Sequence, residues 1–517
     1  MDENKYMLGV DIGTTSTKAV LFRETGEIMA QENNGYDLYT PDISTAEQDP
    51  EEIFQAVILS IGNVMRHSQI NPMELSFISF SSAMHSVIAI DENGQPLTRC
   101  ITWADNRSAK WAERIKDEDN GHEIYLKTGT PIHPMSPLSK VAWMEHEKTE
   151  IARKTKKYIG IKEYIFNKFF DDYVVDYSIA SATGMMNLKA LTWEKSALDV
   201  AGIKESKLSR LVSTQDIFTG CNPALAKEMG ILETTRFVIG ASDGVLSNIG
   251  VDAIQKGEVA VTIGTSGAIR TVISEPKTDT KGRIFCYALT ENHWMIGGAV
   301  NNGGMVLRWI RDELAASEVE TANRLGIDVY DVLTRIADEV EPGANGLLFH
   351  PYLAGERAPL WSSDVRGSFI GLTLNHKKEH MIRAALEGVI FNLYTVFLAL
   401  IEVMDTEVTS IKATGGFSRS AVWRQMMADI FDHEVIIPES YESSCLGACL
   451  LGLYAEKKID SFEVVKDLIG STYKHTPNPE HEEAYRKLIP IFINISRVLE
   501  EEYKKISDYQ NSTQSNL

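Results

Sequence analysis

Cysteine is scarce and scattered in this sequence: five among 517 residues, at Cys100, Cys221, Cys286, Cys445 and Cys449. No two have the spacing of a zinc finger or a redox pair, which excludes a disulfide framework and a thiolate metal site. Reduced thiols suit a cytoplasmic protein. Cys445 and Cys449, four apart in SSCLGACLLGLYA, read as packing on one face of a helix. A basic surface is missing too. Lys and Arg number 51 against 72 Asp and Glu, a net charge of −21, and this argues against nucleic acid as a partner. The longest uncharged apolar stretch, within 388–401, falls short of the roughly 18–20 residues that cross a bilayer. A buried helix is expected there, and no membrane. The start, MDENKYMLGVDIG, has neither the basic nor the apolar region of a secretory signal, so a soluble protein is expected.

What is present is globular. The hydrophobic share is 44% and the charged share 24%, a balance that excludes a disordered chain, and the length calls for more than one core. YMLGVDIGTTSTKAVLF reads as a buried strand, a Gly/Thr turn and a second strand rich in β-branched residues. Apolar spacing then predicts a helix over 49–67, with Pro50 near its start, and a strand over LSFISFSS. Strands and helices alternate as far as RFVIGASDG. The opening has an echo: VDIGTT at Val10–Thr15 returns as VTIGTS at Val261–Ser266, each running from an apolar strand through IGT into a second strand. The expected organisation is two halves on one plan, 1–252 and 253–478, followed by a helical tail, 479–517, with a frayed polar end.

The octet Asp11-Ile12-Gly13-Thr14-Thr15-Ser16-Thr17-Lys18 is the most informative stretch. Gly13 lets the backbone turn close to a ligand, and the N–H groups after it can point at phosphate oxygens. Thr14, Thr15 and Ser16 add hydroxyl donors, Lys18 adds positive charge, and Asp11 offers a place for Mg²⁺. The alternative is a plain hairpin with Lys18 in solvent. The octet is neither a Walker A loop nor a GxGxxG turn before a helix. Gly264 and Thr265, in the echo, form a second candidate phosphate turn. Asp243, in GASDG at the end of RFVI, is placed to accept a proton from an attacking hydroxyl, and phosphoryl transfer needs one such carboxylate. Helix capping is its other reading. Gly303 in NNGG, and Gly415 and Gly416 in GGFSRS, clear side chains from the path of a flat adenine or ribose. His85 in SSAMHS, with Trp103, Asp105 and Arg107 in TWADNRS, offers an apolar wall and the hydrogen-bonding groups of a polyol site. A core histidine and a local Asp105–Arg107 ion pair are the alternatives there. GERAP reads equally as a site loop or a structural turn.

These stretches, in this order, resemble the FGGY family of carbohydrate kinases, within the superfamily of actin, hexokinase and the Hsp70 chaperones. DIGTTSTK, MSPLSKVAWM, GASDG, TIGTSGA, GERAP and GGFSRS carry the resemblance, which runs from residue 8 to about 455. It implies an α/β chain of two ribonuclease-H-like domains with a cleft between them, the sugar held mainly by the first and ATP mainly by the second. By motif it implies Asp243 as catalytic base and, with Asp11, as a holder of Mg²⁺, partly through water. Asp11, Gly13, Thr14, Thr15 and Lys18 would surround the phosphates, with Gly264 and Thr265 meeting them from the other side. Gly303, Gly415, Gly416 and Ser420 would border the nucleotide, Ser420 standing near a position where many relatives carry Asn. His85, Trp103, Asp105 and Asp243 would line the sugar pocket.

SSAMHS, TWADNRS, TGTPIHPMSPLSK and YIGIKEYI are most similar to the branch of the family that acts on gluconate. Xylulose kinases usually have Gln-Met-His-Gly where Ala83–Ser86 stand, and glycerol kinases an Arg-Glu pair near there. The resemblance therefore implies ATP-dependent phosphorylation of D-gluconate to 6-phospho-D-gluconate. The partners are then a sugar acid and ATP, and a homodimer is compatible with that. Gluconate's carboxylate calls for a cation or several donors, for which His85, Arg107 and His133 are nominated. A pentulose kinase is the runner-up. An actin- or Hsp70-like ATPase lacks support for want of an extra substrate domain. A non-catalytic sensor should have lost the base or a phosphate turn, and both are present.

Overall fold

The computed structural model describes residues 5–42, 44–438, 442–469 and 472–514. The chain divides into two units, Met1–Gln255 with Val272–Ile296 and Glu442–Gly470, and Lys256–Thr271 with Gly297–Tyr441 and Ser471–Leu517.

In the first unit one sheet runs in the order Ile217–Phe218, Phe237–Ser242, Leu75–Ser82, Tyr6–Ile12, Ser16–Arg23, Ile28–Gly35. Tyr6–Ile12 is antiparallel to Ser16–Arg23 and parallel to Leu75–Ser82, which is itself parallel to Phe237–Ser242. Three parallel strands thus bring their C-terminal ends to one rim, where α/β sheets collect ligands. Met7, Leu8 and Val10 are all buried because both faces of the sheet are covered. On one face lies the helix Pro50–Ser68. Asp49 caps it by accepting from Glu51 N, Pro50 occupies its first position, and Ile53, Val57, Ile61 and Met65 turn inward. On the other lies Ser443–Ala455, which carries Cys445 and Cys449 into the core as the spacing predicts. All five cysteines are buried and free. Helix and strand approach so closely that a side chain on Gly9 would start 2.3 Å from the Cys445 carbonyl oxygen.

The second unit repeats the plan. Glu258–Ile263 is antiparallel to Gly267–Ile273 and parallel to Ser410–Thr414, followed by Val435–Pro438 and Thr472–His475. VDIGTT and VTIGTS therefore occupy equivalent positions, each ending the first strand of its hairpin. The apolar run at 388–401 belongs to a longer helix, Lys378–Val403, of 26 residues. Its length and composition would suffice to cross a membrane, but 78% of its most apolar stretch is buried in the fold. It also holds a buried ion pair, Arg383 to Glu387 at 2.7 Å, with Tyr485 bonded to both.

The tail is made of two helices, Pro479–Val498 and Glu500–Gln514. Arg366 holds Ser507 and Gln510 at 2.7 Å each, and Ser507 donates to Asp364. Residues 515–517 lie outside the described residues.

Candidate active site

In the first unit the octet forms a tight hairpin fixed from outside. Gly13 N donates to Ser16 O at 3.0 Å, Tyr36 OH donates to Gly13 O at 2.5 Å and Gln48 donates to Thr14 O at 2.6 Å. Asp11 and Lys18 face each other across the strand pair, so their charges share one face of the sheet. Lys18 is not left to solvent: Glu442 lies 3.0 Å from its ammonium. Asp11 accepts from the Ser81 hydroxyl at 2.6 Å, its neighbour in register on the parallel strand. Burial, and next the charge of Asp243, push the Asp11 carboxyl up to about 6.

Asp243 is the first residue of the helix Asp243–Gly250, whose cap is Ser242. Its carboxylate accepts from Gly244 N at 2.7 Å and stands at the N-terminal end of that helix. Asp11 and Asp243 thus end the two strands flanking Leu75–Ser82, each within reach of the other's field. No cluster of three metal-ligating side chains occurs among the described residues. A pair of carboxylates is nevertheless the donor set Mg²⁺ usually takes from a protein, since it keeps waters and fills its remaining positions with phosphate oxygens.

Around the expected sugar pocket the residues separate into two kinds. His85 is buried in a left-handed conformation, φ 71°, with Nδ1 2.8 Å from Ala182 O. The Trp103 indole donates to the Thr14 hydroxyl at 3.1 Å, joining TWADNRS to the octet. Asp105, 1% exposed, is enclosed by protein. It accepts from Ala46 N and from the backbone and guanidinium of Arg107, which also reaches Glu47 at 2.5 Å. Asp105 and Arg107 therefore hold the 44–47 segment beside Trp103. His133 accepts from Met135 N through Nδ1.

Sequence reasoning missed Lys140. It is fully buried, and its ammonium donates to the carbonyls of His85, Thr102 and Met135 at 2.8, 2.7 and 2.8 Å, so one side chain ties three loops of the pocket. Burial pushes it down to about 7, with the charge of Asp105 pulling the other way. In the sequence it was only part of a motif, because its partners lie up to 55 residues away.

Glu163 was missed for the same reason. It accepts from Gly160 N at 2.6 Å and from the Ser209 hydroxyl, and burial raises it to about 7 from 4.5. A raised carboxyl contributes stability that is complete below the unfolded pKa and is lost as pH climbs through 4.5 to about 7. Glu163→Gln, which keeps the shape without the charge, is therefore expected to melt above the parent near pH 8.5 but not near pH 5. The gain should be on the order of 2 kcal/mol at the alkaline end. Thermal melts at the two pH values check this, and an equal difference at both would contradict it.

In the second unit a cavity of about 290 Å³ brings together Gly264, Thr265, Gly416 and Ser420. Gly303 and Gly415 act behind it. A Cβ on Gly303 would lie 2.4 Å from Ser266 O, and one on Gly415, at φ 100°, would lie 2.3 Å from Ile263 O. These two glycines let the backbone close on the IGTSG turn, while Gly264 and Gly416 have open space before them. Gly304 N donates to Gly264 O at 2.7 Å, which seats the turn on the helix Gly304–Trp309. The Ser420 hydroxyl caps the helix Ala421–Phe431 by accepting from Trp423 N. Arg308, Asp328, Tyr330 and Asp331 are also in the lining and carried no signal in the sequence. GERAP is the brace behind NNGG: buried Glu356 accepts from Asn301 N at 2.5 Å, Asn302 at 3.0 Å and Asn392 at 2.8 Å.

Family models match both parts of the chain: the N-terminal domain of the FGGY family of carbohydrate kinases over residues 6–250, and the C-terminal domain over 259–456. The chain is 70% identical over 505 residues to the gluconokinase of Bacillus subtilis (strain 168), covering 98% of each. A gluconate kinase structure from Lactobacillus acidophilus matches with a TM-score of 0.91 at 37% identity, over 97% of this chain and 99% of that one. A ligand-bound xylulose kinase from the same organism matches with a TM-score of 0.91 at 38% identity, over 97% and 100%. The chain belongs to the FGGY family of carbohydrate kinases.

Proposed function

We propose that this kinase transfers the γ-phosphoryl group of ATP to the C6 hydroxyl of D-gluconate, giving 6-phospho-D-gluconate and ADP. The observation that carries the chemistry is the pairing of Asp11 and Asp243 at one rim of the first sheet, where each senses the other's charge. Asp243 orients the hydroxyl and takes its proton as the bond to phosphorus forms. Asp11 and Asp243 would together hold Mg²⁺, which when bound neutralises charge on the phosphate oxygens. Gly13, Thr14 and Thr15 offer donors to phosphate oxygens. The cavity lined by Gly264, Thr265, Gly416 and Ser420 suits a nucleotide and is shaped by Gly303 and Gly415. Lys18, paired with Glu442, acts on the phosphates through its field on Asp11. His85 and Trp103 line the sugar site, and Asp105 holds its wall.

Gluconate as the acceptor is supported by the identity to the Bacillus subtilis enzyme over nearly the whole chain. Arg107 is neutralised by Asp105 and Glu47, so we assign the gluconate carboxylate to the imidazoles of His85 and His133. A pentulose such as xylulose is the second reading, because the xylulose kinase structure matches as well as the gluconate kinase structure. A cytoplasmic location accords with five buried, reduced cysteines. A coupled ADP-release assay over gluconate, xylulose, ribulose and no sugar tests the reading. Gluconate should give the highest kcat/KM. Xylulose or ribulose ahead of it would end the gluconate assignment, and sugar-independent hydrolysis would return the protein to an ATPase.

A further inference from the structure

The strand that delivers Asp243 has one edge almost without sheet. Ile217–Phe218 pairs only with Val238 and Phe237, and from Ile239 to Ser242 no strand lies along that side among the described residues. The backbone groups there still need partners, as buried N–H and C=O groups do. Ile239 N and Gly240 N donate to the carbonyls of Asp216 and Thr214 at 3.1 and 3.2 Å. The carbonyls of Ile239 and Ala241 both accept from one ammonium, that of Lys162, at 3.1 and 3.3 Å. Ser242 N donates to the Ser178 hydroxyl at 3.1 Å, and that hydroxyl donates back to Ser242 Oγ at 3.0 Å.

Lys162 is 3% exposed and Asp176 not at all. The two charges coexist in the interior because Asp176 Oδ2 lies 2.6 Å from the ammonium, and removing either would strand the other. The second oxygen of Asp176 caps the short helix Tyr177–Ser181 through Ile179 N at 3.0 Å. That cap sets the place of Ser178. On this side of the strand, one connected group therefore holds the carbonyls of Ile239 and Ala241 and the N–H of Ser242.

We propose that Lys162, with Asp176 and Ser178, is the positioning brace of the phosphoryl-transfer base. It stands in for the missing strand and fixes the main chain from which Asp243 is aimed. The proposal rests on the reading of Asp243 as that base. None of the three residues need touch substrate, so their effect belongs in kcat, and an error of about 1 Å in aim costs on the order of 100-fold.

The test is a pair of thermodynamic cycles on the full chain. Lys162→Met and Ser178→Ala are made singly and in combination with Asp243→Asn, and kcat, both KM values and the thermal melt are measured. Lys162→Met is expected to lower kcat by about 10–100-fold, with both KM values little changed, and Ser178→Ala by a smaller factor. In the Asp243→Asn background neither should lower kcat further, because the group whose aim they set is gone. If Lys162→Met does not fold, the Ser178→Ala cycle decides. An equal loss in both backgrounds, or parent-like kcat in folded variants while Asp243→Asn is inactive, overturns the brace and leaves the base standing. Asp243→Asn keeping more than about a tenth of kcat overturns both.

Discussion

Asparagine in place of Asp243 is expected to lower kcat by about 10²–10⁴-fold while leaving KM for gluconate nearly unchanged. The change is nearly isosteric. The Asn carbonyl oxygen can accept the same Gly244 N–H that the carboxylate accepts at 2.7 Å, so the helix start and the melting temperature should persist. What disappears is the proton acceptor, and with it one of the two carboxylates proposed to hold Mg²⁺. An amide has no useful basicity near neutral pH, and the hydroxyl must then attack without losing its proton to the enzyme. A second consequence follows from the coupling of the two carboxylates. Asp243 is one cause of the raised pKa of Asp11, so Asp11 in the variant should titrate closer to an ordinary aspartate. Steady-state turnover in the ADP-release assay, beside a thermal melt, checks the first expectation. Turnover above about a tenth of the parent in a folded variant would remove Asp243 from the role.

The parts of this site legible in the sequence are those whose geometry is local. A glycine at a strand end, hydroxyl residues after it and a proline opening a helix act within a few residues, so the octet, its echo at Val261–Ser266 and the helix from Pro50 could be read directly. The sheet strands were legible because their apolar runs are short and end at Gly or Ser turns, which sets them apart from the longer helical run at 388–401. Lys140 and Lys162 were not. On a helix, a lysine amid mixed residues reads as solvated, and nothing in PLSK or IKEY says that the ammonium ends buried against carbonyls, all but that of Met135 lying 38 to 79 residues away. Burial is a tertiary fact, and only contacts across the fold reveal it. Gly303 and Gly415 show a milder version. Their smallness was read as room for a nucleotide, whereas the space is first needed by the backbone at Ile263 and Ser266. Asp105 and Arg107 lie two residues apart, close enough for their ion pair to be foreseen as an alternative, but the additional hold on Ala46 and Glu47 was beyond local reach.

Gly240→Ala is expected to be as damaging as loss of the base, by a different route. Gly240 adopts φ 72°, a conformation that costs a residue with a side chain about 1–3 kcal/mol. Its absent Cβ would lie 1.8 Å from Phe80 O and 2.8 Å from Phe80 C. Both are backbone atoms inside the sheet, so no rotamer change relieves the contact. The position coincides with an irregularity: pairing with Leu75–Ser82 changes register between Val238 and Ala241. An extra residue there resets the alternation of the strand, and side chains have period two, so removing the bulge would turn every following residue to the opposite face. Asp243 stands three residues on. Alanine therefore forces a choice between opening the sheet and straightening the strand, and either outcome displaces Asp243. The expected cost is about 3 kcal/mol or more, read as a clear fall in melting temperature or in soluble yield. Whatever protein remains folded should turn over more slowly than its melting temperature alone would explain. A variant melting within about 2 °C of the parent and turning over at the parent rate would show that the bulge does not set the base.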